Sequence, residues 1–370
     1  MAKSLYDFID AVYGSLLDGR IPLNEDAYNL ISTTPFEEMI NNDDKCLKLI
    51  QAALEFKSGV ARENRHRASH ILVTWLLGIG MSSFFKLDNS KDPFSKKFFP
   101  NLWLQTAMLH DYGYLCDEIS NRDLALEDIV GEYDLLSDTY FDEDLSVICG
   151  MTANSQFAHY FTYSYQEIRE YFAYGKHLHK KDILRPGVEL NDHGIVGACI
   201  AFRKYCEAVT KKKKIKPSPA ITQIQKIACI VAASHNIFKS SDAKTDNIYI
   251  QFGLTNLLSS SEVRVNKENI LLLLMSLVDT IECTKRFSQK SNPKQYLQQA
   301  TTLKYVDVEI EDGLLISFSR LHTYIERERK SEEMKKTLNS HINGLRNISS
   351  WTSFSAEYNE DVPFDVRIRL

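Results

Sequence analysis

The chain has no apolar run long enough to cross a bilayer. Its longest, 71–85 and 270–278, fall short of the roughly 20 residues required, and the first also holds Thr, Ser and two Gly. The opening stretch, MAKSLYDFIDAVYGSLLDG, has no signal-peptide core, because Asp7 and Asp10 interrupt its apolar residues. Cysteine is sparse in pattern as well: seven residues, an odd number, with no CxxC. That excludes a zinc ribbon and a disulfide scaffold and leaves reduced thiols in a cytoplasmic protein as the expectation. There is no excess of either charge. A formal net charge of −5 over 370 residues is not that of a polycation, so any nucleic-acid contact must come from a local patch. Internal repeats and low-complexity tracts are also missing.

What is present is helical patterning. Residues 1–58 carry 3.6-type apolar spacing in two or three helices, with entries at Pro22 and at Thr34-Pro35. Further helices are expected at about 61–84, 101–117, 192–209, 219–238 and 262–286. Between them, 118–190 reads as an insertion, acidic at first and then aromatic (Tyr160, Phe161, Tyr163, Tyr165, Tyr171, Phe172, Tyr174). After Pro293 the period changes from helical to two around Asp312-Gly313, a hairpin signal. A charged helix at about 320–346 and two closing strand candidates complete a β-β-α-β-β reading of 303–370. The expected fold class is therefore mainly α, a helical bundle with a small C-terminal α+β module. Three regions are expected: 1–58 packing on the bundle, the bundle itself at 59–292, and the module.

Chemistry enters at His110-Asp111, which closes the apolar run WLQTAML. A His followed by an Asp at a helix end can give two ligands to one metal. His70 lies upstream, and His193, His235 and Asp279 lie downstream, each in an apolar, helix-patterned segment. Imidazoles and carboxylates suit Mn, Fe, Co, Ni or Zn, with Mg a further candidate, and mixed sets favour water-bearing catalytic sites. The ordered set is what a two-metal site in a helical bundle requires, with Asp111 able to give one oxygen to each ion. One His on a buried helix is more often structural than ligating, but six suitable residues in one order are harder to assign to packing. His66, one turn before His70, competes as the first ligand; His70 is preferred because the apolar run starts directly after it.

These residues resemble the HD-domain superfamily of metal-dependent phosphohydrolases over about 60–290. His70 in HILV matches the family's first histidine, and His110 and Asp111 in AMLHDYG match the doublet. His193 in DHGIVGA and His235 in AASHN match the intermediate histidines, and Asp279 in SLVDTIE matches the last aspartate. The resemblance implies an HD-type bundle holding two divalent ions on these six residues, and hydrolysis of a phosphoester through a metal-bridging hydroxide. It implies a nucleotide or single-stranded nucleic acid as substrate. The chain departs from the family at Tyr114, where many members carry a lysine, and it lacks the HHExxDGxGYP signature of cyclic-di-GMP phosphodiesterases.

Asp111, His193 and Arg286 are the catalytic candidates. Arg286 follows Asp279 by seven residues, two turns along one helix face, where a guanidinium could grip a phosphate or close a salt bridge. Lys285 is expected to be solvated. Arg62, Arg65 and Arg67 could form a basic entrance, and Lys211–Lys214 reads as a solvated loop. Two rivals stand beside hydrolysis: a di-iron oxygenase of the same superfamily, and a non-catalytic metal-binding protein that regulates or assembles. No membrane partner is expected, and homo-oligomerisation stays open.

Overall fold

A computed structural model describes residues 3–54, 67–82, 99–111, 267–287, 297–310, 313–328, 332–350, 355–359 and 361–369, together with positions 194, 197–198, 227–229, 231–232 and 235. The described part is mostly helical, with one small antiparallel sheet. The chain divides into two units. The first comprises Met1–Glu55, Arg65–Pro100 and Asn256–Leu370; the second comprises Phe56–Asn64 and Asn101–Thr255.

The first unit begins with a two-residue strand, β1 (Lys3–Ser4), that runs straight into α1 (Leu5–Leu17). Ser4 caps α1, its hydroxyl oxygen accepting the Asp7 N–H at 3.0 Å. Leu5, Ile9, Tyr13 and Leu16 form the buried stripe that helical spacing requires. Three helices follow: α2 (Glu25–Thr33), α3 (Phe36–Ile40) and α4 (Asp43–Ala53). Asn24 caps α2 by accepting the Ala27 N–H at 2.9 Å, and Asn42 caps α4 through the Asp44 and Lys45 N–H groups, both at 3.1 Å. Pro35 precedes α3, as its position in the sequence suggests.

The central element is α5 (Ala68–Met81), in which every residue from Ala68 to Gly78 is buried. A helix apolar on all sides must be enclosed, and this one has neighbours on several faces. Gly80 admits the Phe8 ring of α1, which stands 2.7 Å from where a Cβ would be. On the α4 side, Asp43 accepts the Ser69 backbone N–H at 3.3 Å and also the Ser69 hydroxyl. The Trp75 indole N–H donates to the Pro100 carbonyl at 3.0 Å, at the start of α6 (Phe99–Leu109). α7 (Lys267–Ile281) also packs on α5. Each fully buried Leu or Ile in these faces contributes about 1.5–3 kcal/mol.

Beyond the short α8 (Thr284–Phe287) and α9 (Gln299–Lys304) lie β2 (Asp307–Ile310) and β3 (Leu314–Ser317). They form the hairpin that Asp312-Gly313 signals, with Ile310 opposite Leu314. Gly313 has φ +148°, and a Cβ there would stand 2.6 Å from the Ile368 carbonyl, so backbone angle and space both demand glycine. The single charged helix expected at 320–346 is two, α10 (Ser319–Arg327) and α11 (Glu332–Arg346). Strands β4 (Ser355–Asn359) and β5 (Val362–Arg369) complete an all-antiparallel sheet in the order β1-β2-β3-β5-β4. The β-β-α-β-β reading thus lacks one helix and one strand, the missing strand coming from the other end of the sequence. Val308, Leu314, Ile316, Val366 and Ile368 are the buried members of the alternation. Helices α10 and α11 bury Leu321, Ile325, Met334, Leu338, His341, Ile342 and Leu345.

In the second unit, α6 runs from its start near the unit boundary to Leu109 with Leu102, Trp103, Leu104, Ala107, Met108 and Leu109 buried. The described helical positions 227–229 and 231–232 are buried too. Among the described residues no helix is long and apolar enough to cross a membrane.

Candidate metal centre

Five of the six expected ligands are described, and all five are buried: His70 at 4% exposure, Asp111 and Asp279 at 1%, His110 and His235 at 0%. Buried ionisable groups must be compensated, so each one's surroundings carry information.

In the first unit, His70 is the third residue of α5 and Asp279 lies in the last turn of α7. His70 Nε2 is 3.7 Å from Asp279 Oδ1, and its Nδ1 is 2.7 Å from Glu282 Oε2. Glu282 stands at the helix end, its N–H still donating to the Val278 carbonyl at 2.8 Å. α7 ends at Ile281, and Glu282 and Cys283 are non-helical before α8 starts. The Glu282 carboxylate turns forward and accepts the Thr284 N–H at 2.7 Å and the Thr284 hydroxyl, as a capping acid does for the helix that follows. Burial pushes this carboxyl up, but His70, Thr284 and Lys285 together outweigh it and hold it below the usual carboxylate range. The same break redirects the two cations. Lys285 donates to Asp279 Oδ1 at 2.6 Å with its side chain 22% exposed, so it is not a solvated surface lysine. Arg286 is exposed, and the continuous helix face that would carry it alongside Asp279 is interrupted.

In the second unit, His110 follows α6 and continues its hydrogen bonding, the His110 N–H reaching the Thr106 carbonyl at 3.1 Å. Its Nδ1 lies 2.7 Å from the Ala107 carbonyl, three residues back. His235 repeats this arrangement, with Nδ1 2.6 Å from the Ala232 carbonyl. The two rings meet edge-on at 5.2 Å and 85°. Asp111 Oδ1 stands 3.4 Å from His110 Nε2 and 3.9 Å from His235 Nε2. Gly194 lies against the same turn: a Cβ there would be 2.4 Å from the Ala232 carbonyl and 2.9 Å from His235 Nδ1, so glycine lets the backbone approach.

All three imidazoles obey one rule. Each Nδ1 faces a carbonyl or carboxylate oxygen, which can only accept, so Nδ1 carries the proton and Nε2 keeps the lone pair. Each Nε2 in turn faces a carboxylate oxygen. His70 and Asp279 in the first unit, and His110 in the second, are buried groups of the kind that could hold a metal ion. Two donors on one first-row ion, each about 2.1 Å from it, stand roughly 3.0–3.6 Å apart. The 3.4 Å His110–Asp111 separation fits that span. The 3.7 and 3.9 Å separations need only small side-chain rotations. The donor set therefore fits a metal ion.

Comparison with protein-family models, with curated proteins and with solved structures finds no match.

His193 lies outside the described residues, as do His66, Tyr114, the aromatic insertion, Arg62, Arg65 and Lys211–Lys214. Sequence reasoning passed over Glu282 and misjudged Lys285. An acid three residues after Asp279 in an apolar stretch was the available signal for Glu282, since that spacing puts both on one side of a helix end.

Proposed function

We propose that the chain is a metal-dependent phosphohydrolase of the HD type, acting on a phosphoester of a nucleotide or of single-stranded nucleic acid. The observation that supports this most is the common state of three buried imidazoles, each with Nδ1 engaged and Nε2 toward a carboxylate. By the resemblance, the six residues His70, His110, Asp111, His193, His235 and Asp279 would hold two ions. When bound, the ions supply an acidified water and neutralise the charge of a phosphate. Asp111 faces both His110 and His235 within the second unit, which favours it as the shared carboxylate. Asp279 keeps His70 company on one side and Lys285 on the other, so Lys285 takes the phosphate-facing role first expected of Arg286. The buried cysteines Cys46, Cys229 and Cys283 suit a reducing, cytoplasmic setting.

The deciding experiment is elemental analysis of the purified protein with a phosphate-release screen over nucleotides, cyclic dinucleotides and single-stranded DNA, with Asp111→Ala alongside. Expected are at least one transition metal per chain and hydrolysis that Asp111→Ala abolishes. Equal hydrolysis by that variant overturns the reading. Bound iron with oxygen uptake and no phosphate release moves the chain to the oxygenase class.

A further inference from the structure

His70 differs from His110 and His235 in one respect. His110 and His235 donate to carbonyls of their own preceding turn, a bond that comes with the helix geometry. His70 instead meets a fully buried carboxylate from a residue more than two hundred positions away in the sequence, at 2.7 Å. That carboxylate is already engaged on its other oxygen, where Oε1 accepts from Thr284 N and Thr284 Oγ1. Oε2 accepts from His70 Nδ1 and, more weakly, from Lys285 N at 3.4 Å. Every partner of Glu282 named here is a donor. Its two oxygens are therefore not interchangeable with an oxygen and an amide.

We propose that Glu282 is the positioning residue of the centre: it holds His70 in its Nδ1-protonated form, so that the Nε2 lone pair stays directed toward Asp279 and available to a cation. This rests on the metal-centre reading and extends it to a group outside the ligand set. The last helical hydrogen bond of α7, from the Glu282 N–H to the Val278 carbonyl at 2.8 Å, keeps Glu282 on the side of the helix end that carries Asp279. The chain leaves the helix only beyond it, which lets the same carboxylate meet His70 and cap α8. The same acid thus sets the start of α8, which carries Lys285 to Asp279.

Glu282→Gln tests this without changing volume. The Thr284 N–H can only donate, so the new amide keeps its oxygen there and turns its NH2 toward His70. A donor facing Nδ1 makes that nitrogen an acceptor and moves the ring proton to Nε2, the atom the metal needs. In the metal-free protein, nitrogen-15 shifts of the His70 ring are expected to show protonated Nδ1 in the wild type and protonated Nε2 in Glu282→Gln. Affinity for Zn(II), measured by titration, is expected to fall about 10–100-fold in the variant, the usual effect of losing such an outer partner. Thr284→Val separates the roles: it weakens the α8 cap and is expected to leave the His70 form and the Zn(II) affinity unchanged.

An unchanged His70 form together with wild-type Zn(II) affinity in Glu282→Gln overturns the proposal. So does an equal loss of affinity in Thr284→Val, which would make Glu282 only a cap. If the wild type takes up Zn(II) but hydrolyses nothing, the phosphohydrolase reading fails and the Glu282 result stands. If the wild type binds no metal, the centre itself fails, and Glu282 fails with it as a positioning residue.

Discussion

His341 should make the fold acid-labile through one buried ring. It lies on α11 at 1% exposure, with the Phe318 ring edge-on at 5.3 Å, and neither ring nitrogen has a hydrogen-bond partner among the described residues. Burial lowers its pKa from 6.5 to about 3. Arg286 and Lys285 push the same way, while Glu282 and the Ile281 backbone oppose them. The folded state thus binds this proton later than the unfolded chain does. Between pH 6.5 and 3 the unfolded state holds the extra proton, so stability falls as pH falls, and above 6.5 the contribution is complete. With those two values the loss is about 2 kcal/mol at pH 5 and approaches about 5 kcal/mol near pH 3. His341→Phe keeps an aromatic ring of similar size and removes the titration. Urea unfolding of metal-free wild type and variant, followed by circular dichroism at pH 8, 6 and 5, isolates the effect because all other titrations cancel in the difference. The variant should gain about 2 kcal/mol on the wild type between pH 8 and pH 5. Curves that stay parallel, within about 0.5 kcal/mol, would refute a buried neutral His341.

Three further outcomes follow from distances already given. Gly194→Ala places a methyl 2.4 Å from the Ala232 carbonyl, so the variant should lose about 1–3 kcal/mol and bind less metal; a wild-type melting temperature and metal content would contradict the close approach. Gly313→Val combines a φ of +148° with a 2.6 Å clash against Ile368, and should cost about 1–3 kcal/mol or more in denaturant unfolding. Lys285→Met withdraws a cation from buried Asp279 and should lower metal-free stability by up to about 3 kcal/mol. Added Zn(II) should then raise the melting temperature more in Lys285→Met than in the wild type, and an equal rise would separate Lys285 from the centre.

The sequence made some elements plain and hid others for definite reasons. α5 was legible because an apolar run with no polar face has only one soluble solution, enclosure. The β2–β3 hairpin was legible because Asp312-Gly313 acts over a few residues. β1 was not, since two residues carry no period and Lys3–Ser4 becomes a strand only when Val308 and Asp307 lie beside it. The division between α10 and α11 was also missed, because both have apolar faces and charged surroundings that read as one helix. At the centre, His70, His110, Asp111, His235 and Asp279 could be picked by residue type, since few reasons exist to bury them. A helix continuing past Ile281 would carry residue 286 round toward the face of Asp279; the break at Glu282–Cys283 brings Lys285 to Asp279 instead. Helix ends are set by such local competition, which hydrophobic period does not report.

The pairing of β1 with β2 has a consequence in time. Lys3 and Ser4 are made about 300 residues before their partners Val308 and Asp307. At about 5–20 residues per second the first strand waits on the order of tens of seconds with its N–H and C=O groups unmatched. Helices α1 to α5 can form in that interval, but the sheet edge they lead from cannot. Closing it joins segments about 300 residues apart, the slowest kind of contact to make. Completion of the sheet therefore waits for residues 307 and 308, and a chain stalled before them would leave β1 open to pair with a neighbouring copy.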